Sequence, residues 1–228
     1  MSIQSEILRL RSMLPEGVEL VAVSKFHPAG AVAEAYEAGQ RKFGESRVQE
    51  LLQKIPQLPS DIEWHFIGHL QTNKVRQIIG KTALVESVDS NRLLDVIDAE
   101  SRKAGVTTRV LLQIHVAMEE TKFGYSPEEI LAFFRERRFE KLTNTHICGF
   151  MAMASNTDNE KRVSDDFATV ATLMQTVRDI APDLRGFDIL SMGMSGDWPL
   201  AVAQGSNLVR VGSAIFGARA PYPTDSAR

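Results

Sequence analysis

Apolar positions along the chain fall into short runs separated by longer segments with helical spacing. The first run is Leu20-Val21-Ala22-Val23-Ser24, closed by Lys25. Its apolar residues, two of them β-branched, are bounded by polar and turn residues, which is the pattern of a buried strand. With this run at 20–25, similar ones at 42–46, 64–68, 84–89, 108–116, 145–154, 187–195 and 208–216 predict eight strands. Several are near-continuously apolar, as parallel strands covered on both faces should be.

The intervening segments carry helix signals. Asp89-Ser90 can cap a helix whose Leu93, Leu94 and Ile97 share one face and which Gly105 would end. Ser126-Pro127-Glu128-Glu129 has the form of a capping box with proline at the first helical position. Between 156 and 180, Phe167, Val170, Leu173, Met174 and Val177 recur at helical spacing. Pro28-Ala29-Gly30 reads as a turn, and Met1–Leu8 begins an amphipathic helix ahead of the first strand. No Pro/Gly/Ser-rich linker divides the chain. Eight strand–helix alternations in one domain over 1–228 predict an α/β fold, a (β/α)8 TIM barrel with an extra N-terminal helix. The alternative is an open doubly wound sheet, but residues 24–28 lack a glycine-rich dinucleotide fingerprint.

Composition narrows the partners. Twenty-six Lys and Arg against 29 Asp and Glu leave a net charge of −3, with no basic run longer than Arg135–Arg138. Nucleic acid and anionic membranes are therefore not expected partners. No window approaches the roughly 18 apolar residues of a membrane span, and the N-terminus lacks the layout of a signal peptide. The lone Cys148, in a predicted strand, reads as a buried thiol in a reducing cytoplasm. No exposed apolar face is evident, so a monomer is expected.

In a barrel the chemistry gathers at the carboxyl ends of the strands. Lys25 lies at such an end, where a partly desolvated amine can condense with a carbonyl to form a Schiff base. Ser191–Ser195 and Gly212-Ser213, after the seventh and eighth strands, can offer hydroxyls and backbone N–H groups to a phosphate. A lysine facing a phosphate pocket suggests a phosphorylated aldehyde, of which pyridoxal 5′-phosphate is the obvious one. Arg210 is two residues before Gly212, so both face the same space if that stretch is extended. Its partner could be a phosphate, a carboxylate such as Asp188 or Glu45, or a pyridine nitrogen. His65 and His69 are four apart, but on a strand that spacing spans about 13 Å, and no metal site is predicted. Lys122 reads as a loop charge near the mouth.

These stretches together resemble the pyridoxal-phosphate homeostasis proteins, single-barrel relatives of the alanine racemase N-terminal domain. The resemblance rests on LVAVSK (20–25), FGES-RVQE (43–50), WHFIGHLQTNK (64–74), Thr121-Lys122-Phe123-Gly124, CGFMAMA (148–154), LSMGMSGDW (190–198) and VRVGSAIFGAR (209–219). It implies a fold-type-III-like barrel in which Lys25 carries pyridoxal 5′-phosphate as an internal aldimine. It further implies that Ser191, Gly212 and Ser213 help hold the phosphate and that Arg210 faces the pyridine nitrogen. His65, Met192 and Ser195 would line the same mouth. Ser46 and His69 depart from the family pattern, replacing an asparagine near the cofactor and a proline.

The expected role is to bind and buffer the cofactor without a dedicated turnover, with pyridoxal-phosphate-dependent apoenzymes as partners. A racemase-type enzyme is the alternative. Tyr36, Tyr125 and Tyr222 fall in a helix, a loop and the tail, and none is an evident second base. A cofactor-free aldolase-type barrel using Lys25 would explain the lysine but leave the two loops serving only a substrate phosphate.

Overall fold

Eight strands form in the order predicted: β1 (Glu19–Val23), β2 (Lys42–Glu45), β3 (Glu63–Phe66), β4 (Leu84–Val88), β5 (Thr108–Ile114), β6 (Thr145–Ala152), β7 (Ile189–Ser191) and β8 (Leu208–Val211). In this computed structural model, which describes residues 2–117 and 123–217, each strand pairs in parallel with the next. β8 closes on β1 with Leu20 beside Val209 and Ala22 beside Val211. Helices α1 (Ile3–Met13), α2 (Ala29–Glu37), α3 (Val48–Lys54), α4 (Val75–Ile78), α5 (Asn91–Ala104), α6 (Pro127–Arg135), α7 (Glu160–Ile180), α8 (Trp198–Ala203) and α9 (Ser213–Phe216) complete the chain order. The doubly wound alternative is excluded by the closed ladder.

The helix signals act as the sequence suggested. Ser90 caps α5 by accepting from the Leu93 N–H, and Gly105 ends that helix in the left-handed conformation. Ser126 and Glu129 complete the capping box of α6. On α7, Phe167, Val170, Leu173, Met174 and Val177 are all buried. The additional α1, capped by Ser2, buries Ile7 and Leu10 and packs against α2 and α9.

Three segments differ from expectation. Pro28-Ala29-Gly30 is the entry to α2, with Pro28 at the cap position; proline's fixed φ suits a helix start as well as a turn. The seventh strand covers only 189–191 of the predicted 187–195. Beyond it Gly193 takes φ +91°, where a strand cannot continue. The last run stops at Val211, and 213–216 form α9. Apolar content alone does not distinguish a short helix from a strand.

Alternation along each strand separates two cores. Leu20, Ala22, Phe43, Trp64, Phe66, Val209 and Val211 join the helices in the outer core. Val21, Leu84, Leu111, Cys148, Met151 and Leu208 fill the barrel interior. Above Leu84 and Leu208 on the same inward faces come Glu86 and Arg210, two positions on.

Candidate functional site

β1 ends at Val23, and residues 24–27 make a tight turn in which the His27 N–H donates to the Ser24 carbonyl at 3.1 Å. Lys25 sits in this turn. The next residue, Phe26, has φ +69°, a conformation that type II turns require at their third position and that non-glycine residues seldom adopt. The surroundings impose it. The Phe26 N–H donates to Glu50 Oε1 at 2.6 Å, and the Arg47 guanidinium lies 4.9 Å from the Phe26 ring centroid.

A buried ion cluster anchors the turn from behind. Lys54 Nζ donates to Glu45 Oε1 at 2.6 Å, to Glu50 Oε1 at 2.7 Å and to the Ser24 carbonyl at 2.9 Å. The Ser24 hydroxyl donates to Glu45 Oε1 at 2.6 Å, while Glu45 Oε2 is buried with no partner among the described residues. Burial pushes the Glu45 carboxyl above the ordinary carboxylate range, with Lys54 and Ser24 acting in the opposite direction. Glu45 thus pairs with Lys54, not with Arg210.

Lys25 opens onto a cavity of about 260 Å³ at the carboxyl end of the barrel, shared with Arg210, Ser195, Gly212 and Ser213. His27, Met153 and Met194 form its walls. The loops after β7 and β8 are tied together where the Gly212 N–H donates to Ser195 Oγ at 3.3 Å. A Cβ on Gly212 would stand 3.1 Å from the Val23 carbonyl oxygen, so a larger residue would crowd the end of β1. At Gly193 a Cβ would approach Trp198 Cα to 2.7 Å and Ala201 Cβ to 2.8 Å, in addition to the unfavourable φ.

Arg210 forms the floor of the cavity and is otherwise buried. It donates from one terminal nitrogen to the Ser191 carbonyl and hydroxyl at 2.8 and 2.5 Å, and from the other to the Ala152 carbonyl at 2.9 Å. Burial pulls its pKa below the ordinary guanidinium value, and the nearby Glu86 carboxylate, 3.7 Å away, counters that pull. Glu86 is fully buried and engaged on both oxygens, by His65 Nδ1 at 2.6 Å and by the Ser191 hydroxyl at 2.6 Å. Burial alone would raise its carboxyl; the His65 bond and attraction, the Arg210 charge and Ser191 together bring it below the usual range.

The structure therefore brings Lys25, Ser195, Arg210, Gly212 and Ser213 to one cavity. Ser191 and His65 lie beneath it, in the Arg210–Glu86 network. Met192 is fully buried in the outer core, and Ser46 is half-buried beside Gly68, outside the lining. Sequence reasoning named Asp188 or Glu45 as a carboxylate for Arg210, whereas Glu86 takes that place. A glutamate within the apolar run Leu84-Val85-Glu86-Ser87-Val88 was the available signal. His27, to which no role was assigned from the sequence, lines the cavity and stacks on Phe216 at 5.1 Å.

Other features lie apart. His69 pairs with Asp89 at 2.8 Å and stacks on Phe123, sharing no partner with His65. Lys122 and Tyr222 are outside the described residues. A cleft of about 480 Å³ opens at the amino end of the barrel, but its cations are engaged: Arg11 with Gly39 and Gln40, Arg41 with Asp61, Lys42 with Glu19. No helix among the described residues is long and apolar enough to cross a membrane.

The family model for the alanine racemase N-terminal domain matches residues 1–220, which sets the class of the barrel and its mouth. Alanine racemase of Clostridium difficile shares that fold with a TM-score of 0.76 at 18% identity, this chain covering 58% of its length. Other relatives match over most of both chains. A pyridoxal phosphate homeostasis protein of Haemophilus influenzae is 38% identical over 205 residues, 89% of this chain and 85% of that one. PipY of Synechococcus elongatus, also 38% identical, superposes with a TM-score of 0.90 without PLP and 0.86 with PLP bound. Each comparison covers 95% of this chain and 100% of PipY. The chain belongs to the pyridoxal phosphate homeostasis protein family.

Proposed function

We propose that the cavity holds pyridoxal 5′-phosphate covalently on Lys25, and that the chain stores and hands on the cofactor instead of running a dedicated reaction. The observation that carries this reading is the meeting of an amine, a buried guanidinium and a hydroxyl-rich pair of loops in one 260 Å³ cavity. When bound, the cofactor supplies an aldehyde for the lysine and an electron-accepting ring. Lys25 Nζ is the nucleophile, displayed by the Ser24–His27 turn. Ser195, Ser213 and the Gly212–Ser213 backbone suit the phosphate, because the glycine leaves room for close approach. Arg210, placed on the floor and charged over the working pH range, would face the pyridine nitrogen and keep that nitrogen from taking a proton. Ser191 acts one layer below, orienting Arg210.

Two features favour a carrier over an enzyme. A guanidinium facing the ring nitrogen, as proposed for Arg210, would make the ring a weak electron sink. Among the described residues no tyrosine lines the cavity: Tyr36 donates to Asp61, and the phenol of Tyr125 is buried and bonded to Asn91. The names of the relatives and the PLP held by PipY support the same reading. We further read the recipients as pyridoxal-phosphate-dependent apoenzymes, and the chain as a cytoplasmic monomer.

Absorbance of the purified protein mixed with pyridoxal 5′-phosphate, followed by borohydride and peptide mass mapping, tests the site. A reducible band trapped on Lys25, absent from a folded Lys25→Ala variant, is the expected outcome. A band persisting in Lys25→Ala refutes the assignment.

A further inference from the structure

The cofactor reading uses Arg210 but leaves unexplained what stands beneath it. On the barrel axis, a glutamate with no solvent exposure is joined on one oxygen to His65 and on the other to Ser191, with Arg210 at 3.7 Å. Burying an ion pair in this way is costly unless every remaining donor and acceptor is satisfied. Here the carboxylate is satisfied on both oxygens. His65 in turn borders a small cavity of about 110 Å³ at the amino end of the barrel, among Glu19, Lys42, Glu63 and Arg109. A polar chain therefore runs from that cavity through His65, Glu86 and Ser191 to Arg210, across an interior otherwise filled by Val21, Leu84, Leu111, Cys148 and Leu208.

We propose that Glu86 is a positioning residue for Arg210. Its buried carboxylate, oriented by His65, balances the guanidinium charge and holds it aimed at the ring-nitrogen side of the cavity, and so sets the electrostatic environment of the bound cofactor. This rests on the cofactor reading above. Geometry distinguishes the role from simple packing. The carboxylate accepts from the same Ser191 hydroxyl that receives Arg210, so its removal loosens that shared contact and leaves the guanidinium held by the Ser191 and Ala152 carbonyls. It also takes away the carboxylate that lies 3.7 Å from the buried cation, leaving Asp197 as the remaining counter-charge. The charge, not the volume, is the active property, and Glu86→Gln keeps the volume.

The test is a pH titration of the absorbance of the protein loaded with pyridoxal 5′-phosphate, compared for wild type, Glu86→Gln, Arg210→Met and the double variant. Unfolding of each cofactor-free protein is measured alongside, so that a loss of fold is recognised. Glu86→Gln is expected to be trapped on Lys25 by borohydride but to titrate about half a pH unit or more lower, the scale of losing one negative charge within a Debye length. In the Arg210→Met background the same substitution should shift the midpoint less than half as far, because Glu86, still bonded to His65 and Ser191, then has no guanidinium to position beneath the cofactor. A midpoint unchanged by Glu86→Gln in a folded protein overturns the proposal, as does an equal shift in the Arg210→Met background. If Glu86→Gln does not fold, Glu86→Asp replaces it. That variant draws the charge back from Arg210 and should move the midpoint in the same direction; no movement overturns the proposal. Failure of the wild type itself to form an adduct on Lys25 refutes the cofactor reading, and the two failures are thereby told apart.

Discussion

Lys54→Met is the most demanding check on the turn that carries Lys25. The substitution keeps an apolar stem of similar length and deletes an ammonium that is 4% exposed and serves Glu45, Glu50 and the Ser24 carbonyl at once. It strands the Glu45 carboxylate, which has no exposure and already has one oxygen without a partner. Breaking one side of a buried pair typically costs about 3–5 kcal/mol. For a chain of this size each kcal/mol lowers Tm by about 2–4 °C, so the expected fall is about 6–20 °C at neutral pH.

The pH dependence follows from Glu45. Burial raises its folded-state value, so its protonation stabilises the fold at low pH, and that contribution is lost as pH rises through the raised value. The deficit of Lys54→Met should therefore shrink on acidification toward pH 5. Glu45→Gln added to Lys54→Met should recover much of it by removing the stranded charge. The turn should also loosen, since the Ser24 carbonyl and Glu50 both lose their lysine donor, and borohydride trapping on Lys25 should slow. Scanning calorimetry at several pH values and timed trapping read all of this. A Tm loss below about 2 °C, or a deficit that neither acid nor Glu45→Gln reduces, would show that the cluster does not support the turn.

Two other outcomes are expected. Gly193→Ala should destabilise the fold by about 1–3 kcal/mol and weaken cofactor uptake, through positive-φ strain plus contact with Trp198 and Ala201; denaturant melts and a binding titration measure both. Burial pushes the Cys148 thiol up, countered by Arg109, so a thiol reagent at pH 8 should modify it only on the timescale of unfolding. Rapid labelling of the native protein would contradict its place in the barrel interior.

Local patterning along the chain was sufficient for the architecture. Apolar runs such as 20–24 and 108–114, spaced by the Ser90, Ser126 and Gly105 helix boundaries, require parallel strands joined by helices, and few topologies accept eight of them. It also exposed Lys25, Ser195, Arg210, Gly212 and Ser213, because strand ends can be read from one dimension. Boundaries were less legible: 213–216 is apolar enough for a strand and forms a helix because the ladder has no partner beyond Val211. What the tertiary structure alone decided is which polar groups meet across the barrel. Glu86 and Arg210 are on β4 and β8, Ser191 on β7 and His65 on β3, and no local period links them. Closure of the barrel sets which inward-facing residues share a level, and burial then selects the pairs that satisfy one another. Met192 is likewise kept from the mouth, since a residue next to an inward-facing Ser191 points to the helices.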